Sequence, residues 1–526
     1  MDIMKNPNIK KGDKYLGVLY NDGKVRRRRE WRGFKDTMYD FGRWLYTWGL
    51  LMNVSMGRGF IKALFRYRWM ANYLAVHHMI DKFTIGQRDE TLRITHTAIE
   101  YVVKEVGAVV KGCVRGDKYT GNDKKFSDKS VAVDENAMVA YMMGFPNLYA
   151  ALREIPTLFS ANLINQFSAL HYIDVAQQYG IAGDVCPMPE TEAGLSIDDD
   201  LCVIGKCAIQ VNTTCDGSMM GNGIMASRME REHGIPTFQL AAPIRFKSED
   251  VQKYAAEDMK KAIAFIEEQT GEKWDWKAYF DCAKRINITT RNRWEWLEVN
   301  STPYPQFVGA VFSLYNNTNY MGNCGRSKEF PLIDEKIMKL VHKGYEKKLM
   351  VGKEYRHRCL VWGVQPQYEI DMLYWMINCW GVIPLTDMLS MVIKKEIAEE
   401  DTPENREQAY YDMAYLCENM IMRNHTHGGY ETLIDEMWEY CEKMNADMIM
   451  LWEHMSCKAL AGMHGIFEEQ ARERGIHLVW VTHDLVDPRV TSRQAIRDQF
   501  SQYMRTVMRE EPIDPTIEIM TDDNAW

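Results

Sequence analysis

Two hydrophobic rhythms run through this chain, and the switch between them divides it. Up to about residue 130 the apolar positions recur at helical spacing, as in Phe41 to Met52 (FGRWLYTWGLLM), and predict a mainly helical extension, 1–130. Asn122 to Lys129, charged and glycine-flanked, reads as a linker. Beyond it, short β-branched runs alternate with helical stretches. Ala208 to Asn212 (AIQVN) predicts a strand, Met219 to His233 a helix, and GIPTFQL, entered through Gly234, a second strand. The grammar returns with a strand at Cys359 to Trp362, a helix at Ile370 to Cys379 and a strand at Val382 to Leu385. It returns once more with ADMIMLW, a helix from Gly465 to Arg474, and GIHLVWVTHD. Strand–helix–strand units imply parallel sheets of the doubly wound kind. The expected α/β architecture has halves at 131–250 and 351–526, joined by a helical bridge over 251–350 that breaks at Pro303 and Pro305.

Composition narrows the function classes. With 526 residues and 46% hydrophobic content the chain can build several cores, and a net charge of −9 removes the basic excess of a nucleic-acid binder. The basic run Lys24 to Arg29 reads as a solvated surface. No apolar run predicts a membrane span, and the start, MDIMKNPNIKKGDKY, lacks a secretory signal's apolar core, so a cytoplasmic protein is expected. No G-x-G-x-x-G or Walker-type loop follows any predicted strand, which assigns ATP to another protein.

Twelve cysteines in such a chain argue for buried thiols and metal ligands rather than disulfides. In parallel sheets, ligands gather at the carboxyl ends of strands beside helix amino termini. Cys215, after AIQVNTT, and Cys457, after MIMLWEHMS, occupy such ends, where a helix start favours the thiolate. Cys186, in GDVCPMPE after a helix over Ile173 to Tyr179, is a third loop thiol. Three thiolates suit a cubane cluster with one open iron. No CxxC pair supports this, Cys202 and Cys207 compete with Cys186, and zinc stays open. Cys113, Cys282, Cys324, Cys359, Cys379, Cys417 and Cys441 read as core thiols.

Taken in order, GDVCPMPETEAGL, NTTCDGSM with GIPTFQLAAP, EEQTGEKWDW, and MSCKALAG with THDLVDPR resemble the motifs of the 2-hydroxyacyl-CoA dehydratase and benzoyl-CoA reductase family over roughly residues 135–510. The resemblance implies two Rossmann- or flavodoxin-like halves with one [4Fe-4S] cluster between them, bound by Cys186, Cys215 and Cys457. It implies an acyl-CoA substrate that becomes a ketyl radical, a homologous partner subunit, and a separate ATP-dependent iron–sulfur activator. THDLVDPR and the stretch Gly144 to Cys186 look closest to the benzoyl-CoA reductase B subunit, pointing to reduction of an aromatic acyl-CoA. Where dehydratases carry a proton-transfer Glu, FPNLYAAL has Leu148, with Glu154 displaced by more than a helical turn. Dehydration of a 2-hydroxyacyl-CoA and a structural or electron-relay subunit are the alternatives.

Proton donors are sought among His425 and His427, in RNHTHGG, which also fits a solvated capping turn. His454 and His483 fit either tuning of cluster sulfurs or plain loop positions. Asp216, Asp484 and Asp487 read as turn and helix caps, and Arg489 pairs with a CoA phosphate or with Asp487.

Overall fold

A computed structural model of the chain describes residues 3–6, 18–21, 24–27, 33–75, 80, 83–84, 87–134, 138–212, 215–241, 248–318, 323–388, 395–418 and 430–519. Near the amino terminus, β1 (Met4–Lys5), β2 (Val18–Asn21) and β3 (Lys24–Arg27) are short; β2 and β3 pair as an antiparallel ribbon. The basic run therefore begins as a strand, and Arg28 and Arg29 lie outside the described residues. The first parallel sheet contains β4 (Ser130–Val133), β5 (Tyr149–Leu152), β6 (Cys207–Asn212) and β7 (Thr237–Ala241), in the order β5–β4–β6–β7. After β8 (Glu354–Tyr355), which pairs with β1, the second parallel sheet contains β9 (His357–Trp362), β10 (Val382–Asp387), β11 (Met448–His454) and β12 (His477–His483). Its order is β10–β9–β11–β12.

Both sheets thus follow the same second–first–third–fourth order, and all neighbours are parallel. Strands covered on both faces read as continuous apolar runs, as IMLW does within β11. The order reverses between the first and third strands of each half, and there the helices leave a crevice beyond the carboxyl ends. Two strands of the first half, β4 (SVAV) and β5 (YAAL), were not expected from the pattern, because a run of four residues is too short to carry a period.

The helices depart from expectation in three places. The presumed linker is a packed turn: Asp123 caps Lys124–Ser127 and meets Arg115 at 2.8 Å, while Ser127 accepts the Gly205 amide at 3.1 Å. The helix expected from Ile370 starts at Met372 and widens into π-type turns over Met376–Trp380, ending at Gly381. The amino-terminal extension is integrated rather than appended. Its helix Asp89–Gly116 packs against Phe330–Glu346, with Glu90 held by Lys343 (2.7 Å) and Lys347 (2.9 Å) and Tyr101 packed edge-on to Tyr315 and Phe330. The bridge helix Trp276–Ser301 ends two residues before Pro303, as expected.

One buried charge cluster fixes the loop after β9. Arg493 and Arg497, on the helix Arg493–Thr506, bind Glu369 and Asp371; Arg493 meets Asp371 at 2.6 Å and Arg497 meets Glu369 at 2.6 Å, with all four side chains nearly sealed from water. Each carboxylate accepts from both guanidiniums, so the burial of charge is compensated within the cluster. Arg493→Leu leaves carboxylates without a full complement of donors and is expected to lower the unfolding free energy by about 3–5 kcal/mol in urea titration. An exposed control such as Lys339→Ala should change it by less than about 0.5 kcal/mol.

Candidate metal centre and adjoining cavity

Cys186, Cys215 and Cys457 are all helix N-caps. Cys186 precedes Pro187–Ile197, Cys215 precedes Asp216–His233, and Cys457 precedes Lys458–Ala461. In each half, the cysteine follows the third strand, β6 or β11, at the point where the strand order reverses. Cys186 arrives from the long β5–β6 connection, on a helix pressed hard against its neighbour. A methyl group on Gly194 would lie 1.9 Å from the Tyr172 carbonyl oxygen, so only glycine lets Pro187–Ile197 sit on Leu170–Tyr179. The helix after Cys215 comes close through Gly221, where a Cβ would lie 3.0 Å from the Pro189 carbonyl oxygen. Gly194 and Gly221 thus bring the helices behind the first two cysteines together.

A single cation ties in the third. Lys458, next to Cys457, binds the carboxylates of Asp216, next to Cys215, and Asp184, two residues before Cys186 at 3.5 Å. Exposed pairs of this kind add little stability, so their significance is positional. Behind Cys215, Asn222 donates to the Val211 carbonyl and receives the Gln210 amide at 3.0 Å, pinning the helix start to the end of β6.

Two of the three thiols are shifted by their surroundings. Burial pushes the Cys186 thiol well above its ordinary pKa, the Met188 amide opposes this, and the charges of Cys215 and Cys457 add to the rise. Burial likewise raises Cys457, against the amides of Leu460 and Ala459 and with the Cys215 charge. Their sulfurs do not all fall within 4.8 Å of one another. One tetrahedral zinc ion, with zinc–sulfur bonds of about 2.3 Å, would draw them to about 3.8 Å. Cys202 sits elsewhere, with Tyr67, Asp117 and Cys113, and Cys207 begins β6 at the opposite end of that strand from Cys215, so neither competitor joins the group.

His454 and His483 face each other in register at the ends of β11 and β12, with ring centroids 5.8 Å apart. Burial pushes their pKa values down to about 4 and about 3, keeping both neutral. His425 and His427 lie outside the described residues. Asp484 accepts the Val486 and Asp487 amides at 2.9 and 2.7 Å, and Arg489 binds Asp487 and Asp174. These residues are turn caps and an ion-pair chain, as expected of them. A group that the pattern did not single out is Glu190, four residues after Cys186. It is 2% exposed, burial pushes its pKa up to about 7, and its Oε1 has no hydrogen-bond partner among the described residues. An acid in an otherwise apolar helix turn (CPMPE) was the available signal.

A cavity of about 810 Å³ reaches Met188, two residues after Cys186. Its walls come from β5, the helix Asp89–Gly116, the bridge and the loop after β9; Leu148, Phe159 and Met143 are apolar, Lys277, Arg285 and Lys328 cationic, and Glu105, Asp275 and Asp281 acidic, with Lys277 paired to Asp281 at 2.7 Å. Met188 belongs to both places, since its side chain lines the cavity while its amide faces the Cys186 sulfur. Glu154 is absent from the lining; it is buried against Arg153 at 2.9 Å. Arg326 holds the FPNL turn by donating to the carbonyls of Phe145 and Leu148. Elsewhere Asp199, Glu232 and His233 gather on the surface, but Arg228 already occupies both carboxylates at 2.9 Å.

Arg326→Met removes two charge-assisted bonds to the cavity wall, and is expected to cost about 2–3 kcal/mol in denaturant titration. It should leave the three cysteines equally reactive towards a thiol reagent, as they lie on other elements.

Compared with known proteins, residues 147–504 match the family model described as 2-hydroxyglutaryl-CoA dehydratase, D-component. No curated protein matches the chain.

Proposed function

The chain belongs to the 2-hydroxyglutaryl-CoA dehydratase D-component family, and from that premise we propose that it is the iron–sulfur subunit of an enzyme performing one-electron chemistry on an acyl-CoA. Cys186, Cys215 and Cys457 hold one [4Fe-4S] cluster in this proposal. The convergence of three helix-capping cysteines around Lys458, beside a substrate-sized cavity, carries it.

The residues present fit such a group. Burial first, and neighbouring cysteine charge after it, raise Cys186 and Cys457, so their ionised forms need cations beside them, and iron would supply these. The amides of Met188, Leu460 and Ala459 face the sulfurs and stabilise their negative charge. When bound, the cluster supplies single electrons and, at an iron without a protein ligand, a Lewis acid.

The chain's own side chains do the rest. Leu148, Met143 and Phe159 keep water from the acyl group, protecting a radical from stray protons. Lys277 and Lys328, on the cationic part of the lining, attract the CoA phosphates, and the CoA body contributes binding energy remote from the reacting carbon. Glu190 holds a proton near neutral pH close to Cys186. His454 and His483, neutral at the strand ends, place no positive charge near the sulfurs.

The apolar wall at Leu148, where a dehydratase-type carboxylate would stand, favours an aromatic acyl group of the benzoyl-CoA type and its reduction to a ring diene. Dehydration of a 2-hydroxyacyl-CoA to an enoyl-CoA is the second reading, favoured by the family match itself. A homologous partner subunit and a separate ATP-hydrolysing activator complete the system in either case.

Iron and acid-labile sulfide assays with low-temperature EPR on anaerobically purified protein test the proposal. About four irons per chain are expected in the wild type and in Cys207→Ser, with the reducible signal lost in Cys215→Ser. An iron-free protein that still turns over acyl-CoA would sink it. Incubation with reductant, activator and benzoyl-CoA or a 2-hydroxyacyl-CoA separates the two reactions by product.

A further inference from the structure

Over most of its length the helix Phe34–Ser55 turns its polar side inward. Asp36, Asp40 and Thr47 are buried, joined near the carboxyl end by Leu51 and Val54, while Phe34, Met38, Phe41, Leu45 and Met52, followed by Met56, are exposed. Thr47 donates to the Arg43 carbonyl of its own helix, and the two buried carboxylates are held by the helix Asp89–Gly116. Arg93 meets Asp36 at 3.0 Å, His96 meets Asp40 at 2.8 Å, and Arg43 binds Glu100. The helix is therefore clamped in this orientation, and among the described residues nothing covers its apolar side.

We propose that this face is the two-fold interface between two copies of the chain, formed by antiparallel pairing of the helices about Leu45. Three observations favour a second copy over other occupants.

The area is sufficient. The six large apolar side chains of this face, Phe34 to Met56, are 50–79% exposed. At roughly 150–200 Å² for each whole side chain they present on the order of 700 Å², more than the largest patch of an ordinary monomer and close to one side of a standard interface.

The face is self-complementary. Pairing residue 45 − k with residue 45 + k sets Phe34 opposite Met56, Met38 opposite Met52, and Phe41 opposite Gly49. Leu45 meets its own copy on the axis. Gly49 has open space where a side chain would stand, so it offers a hole for the facing Phe41 ring. An isologous contact needs this relation, residue i to j and j to i.

Charge does not oppose the pairing. Lys35 is the one charged residue among the helix's exposed positions. Antiparallel packing sets the two Lys35 side chains about 30 Å apart along the axis, well beyond screening distance. A lipid surface would need no such register or glycine recess.

The test is the number of copies of this chain per particle, measured by sedimentation velocity on full-length protein as purified, with or without a bound partner subunit. Two copies are expected for the wild type. Leu45→Lys, which sets two like charges on the axis, should weaken the association at least about 100-fold. Mixing Leu45→Lys with Leu45→Glu chains should restore it. Gly49→Leu, which meets nothing in the single chain, should also weaken pairing while leaving thermal unfolding of the single chain unchanged. One copy per particle at all concentrations, or two copies undisturbed by both variants, overturns the proposal. So does a single-copy wild type that co-sediments with anionic phospholipid vesicles.

Discussion

Three cysteine sulfurs, one buried and two half-buried, are brought to one seam, where as thiolates they would carry like charge. Left to itself, such a group repels, and burial makes the repulsion stronger because little solvent screens it. The fold answers this with position and with amide hydrogens. Each half delivers one cysteine from the same topological place, the end of its third strand, and each cysteine caps a helix whose first amides point outward. The third comes from a connection that reaches the seam because Gly194 lets two helices touch. Lys458 then spans the flanks of all three.

From this constraint the cavity follows. The helix that begins after Cys186 also brings Met188 to the cavity wall, so the cysteine seam and the cavity share a residue. The loop after β9 closes the same cavity with Val364, Gln365 and Gln367, and the buried Arg493–Glu369–Asp371–Arg497 cluster holds that loop. Gln367 approaches the Met188 sulfur at 3.6 Å, joining the two halves across the opening. The amino-terminal extension takes part as well: the helix Asp89–Gly116 supplies another wall through Val102, Glu105 and Val106.

Much of this was legible in the sequence wherever a periodic signal was strong. β6, β9, β11 and β12 are long β-branched or aromatic runs bounded by Gly or polar turns, and each was expected within a few residues. β4 and β5, short and alanine-rich, have no such signal; they become strands because flanking elements bury them. Cys215 and Cys457 could be placed at strand ends from spacing alone. The exclusion of Cys202 and Cys207 could not, since nearness in sequence says nothing about which way a β5–β6 connection folds. Glu190 escaped notice because a carboxylate in a helix's first turn is ordinary, and only its burial among Asp484, Asp487 and Gln177 makes it unusual. The inverted helix Phe34–Ser55 was visible as amphipathic, but periodicity does not say which side faces inward.

Mössbauer spectroscopy of ⁵⁷Fe-enriched protein, purified without oxygen, addresses the central claim most directly. Three cysteine ligands on a four-iron cluster predict one iron spectroscopically distinct from the other three, with its parameters shifting when acyl-CoA is added. Four equivalent irons, or a folded and competent protein without any, would contradict the assignment of Cys186, Cys215 and Cys457 as the cluster's ligands.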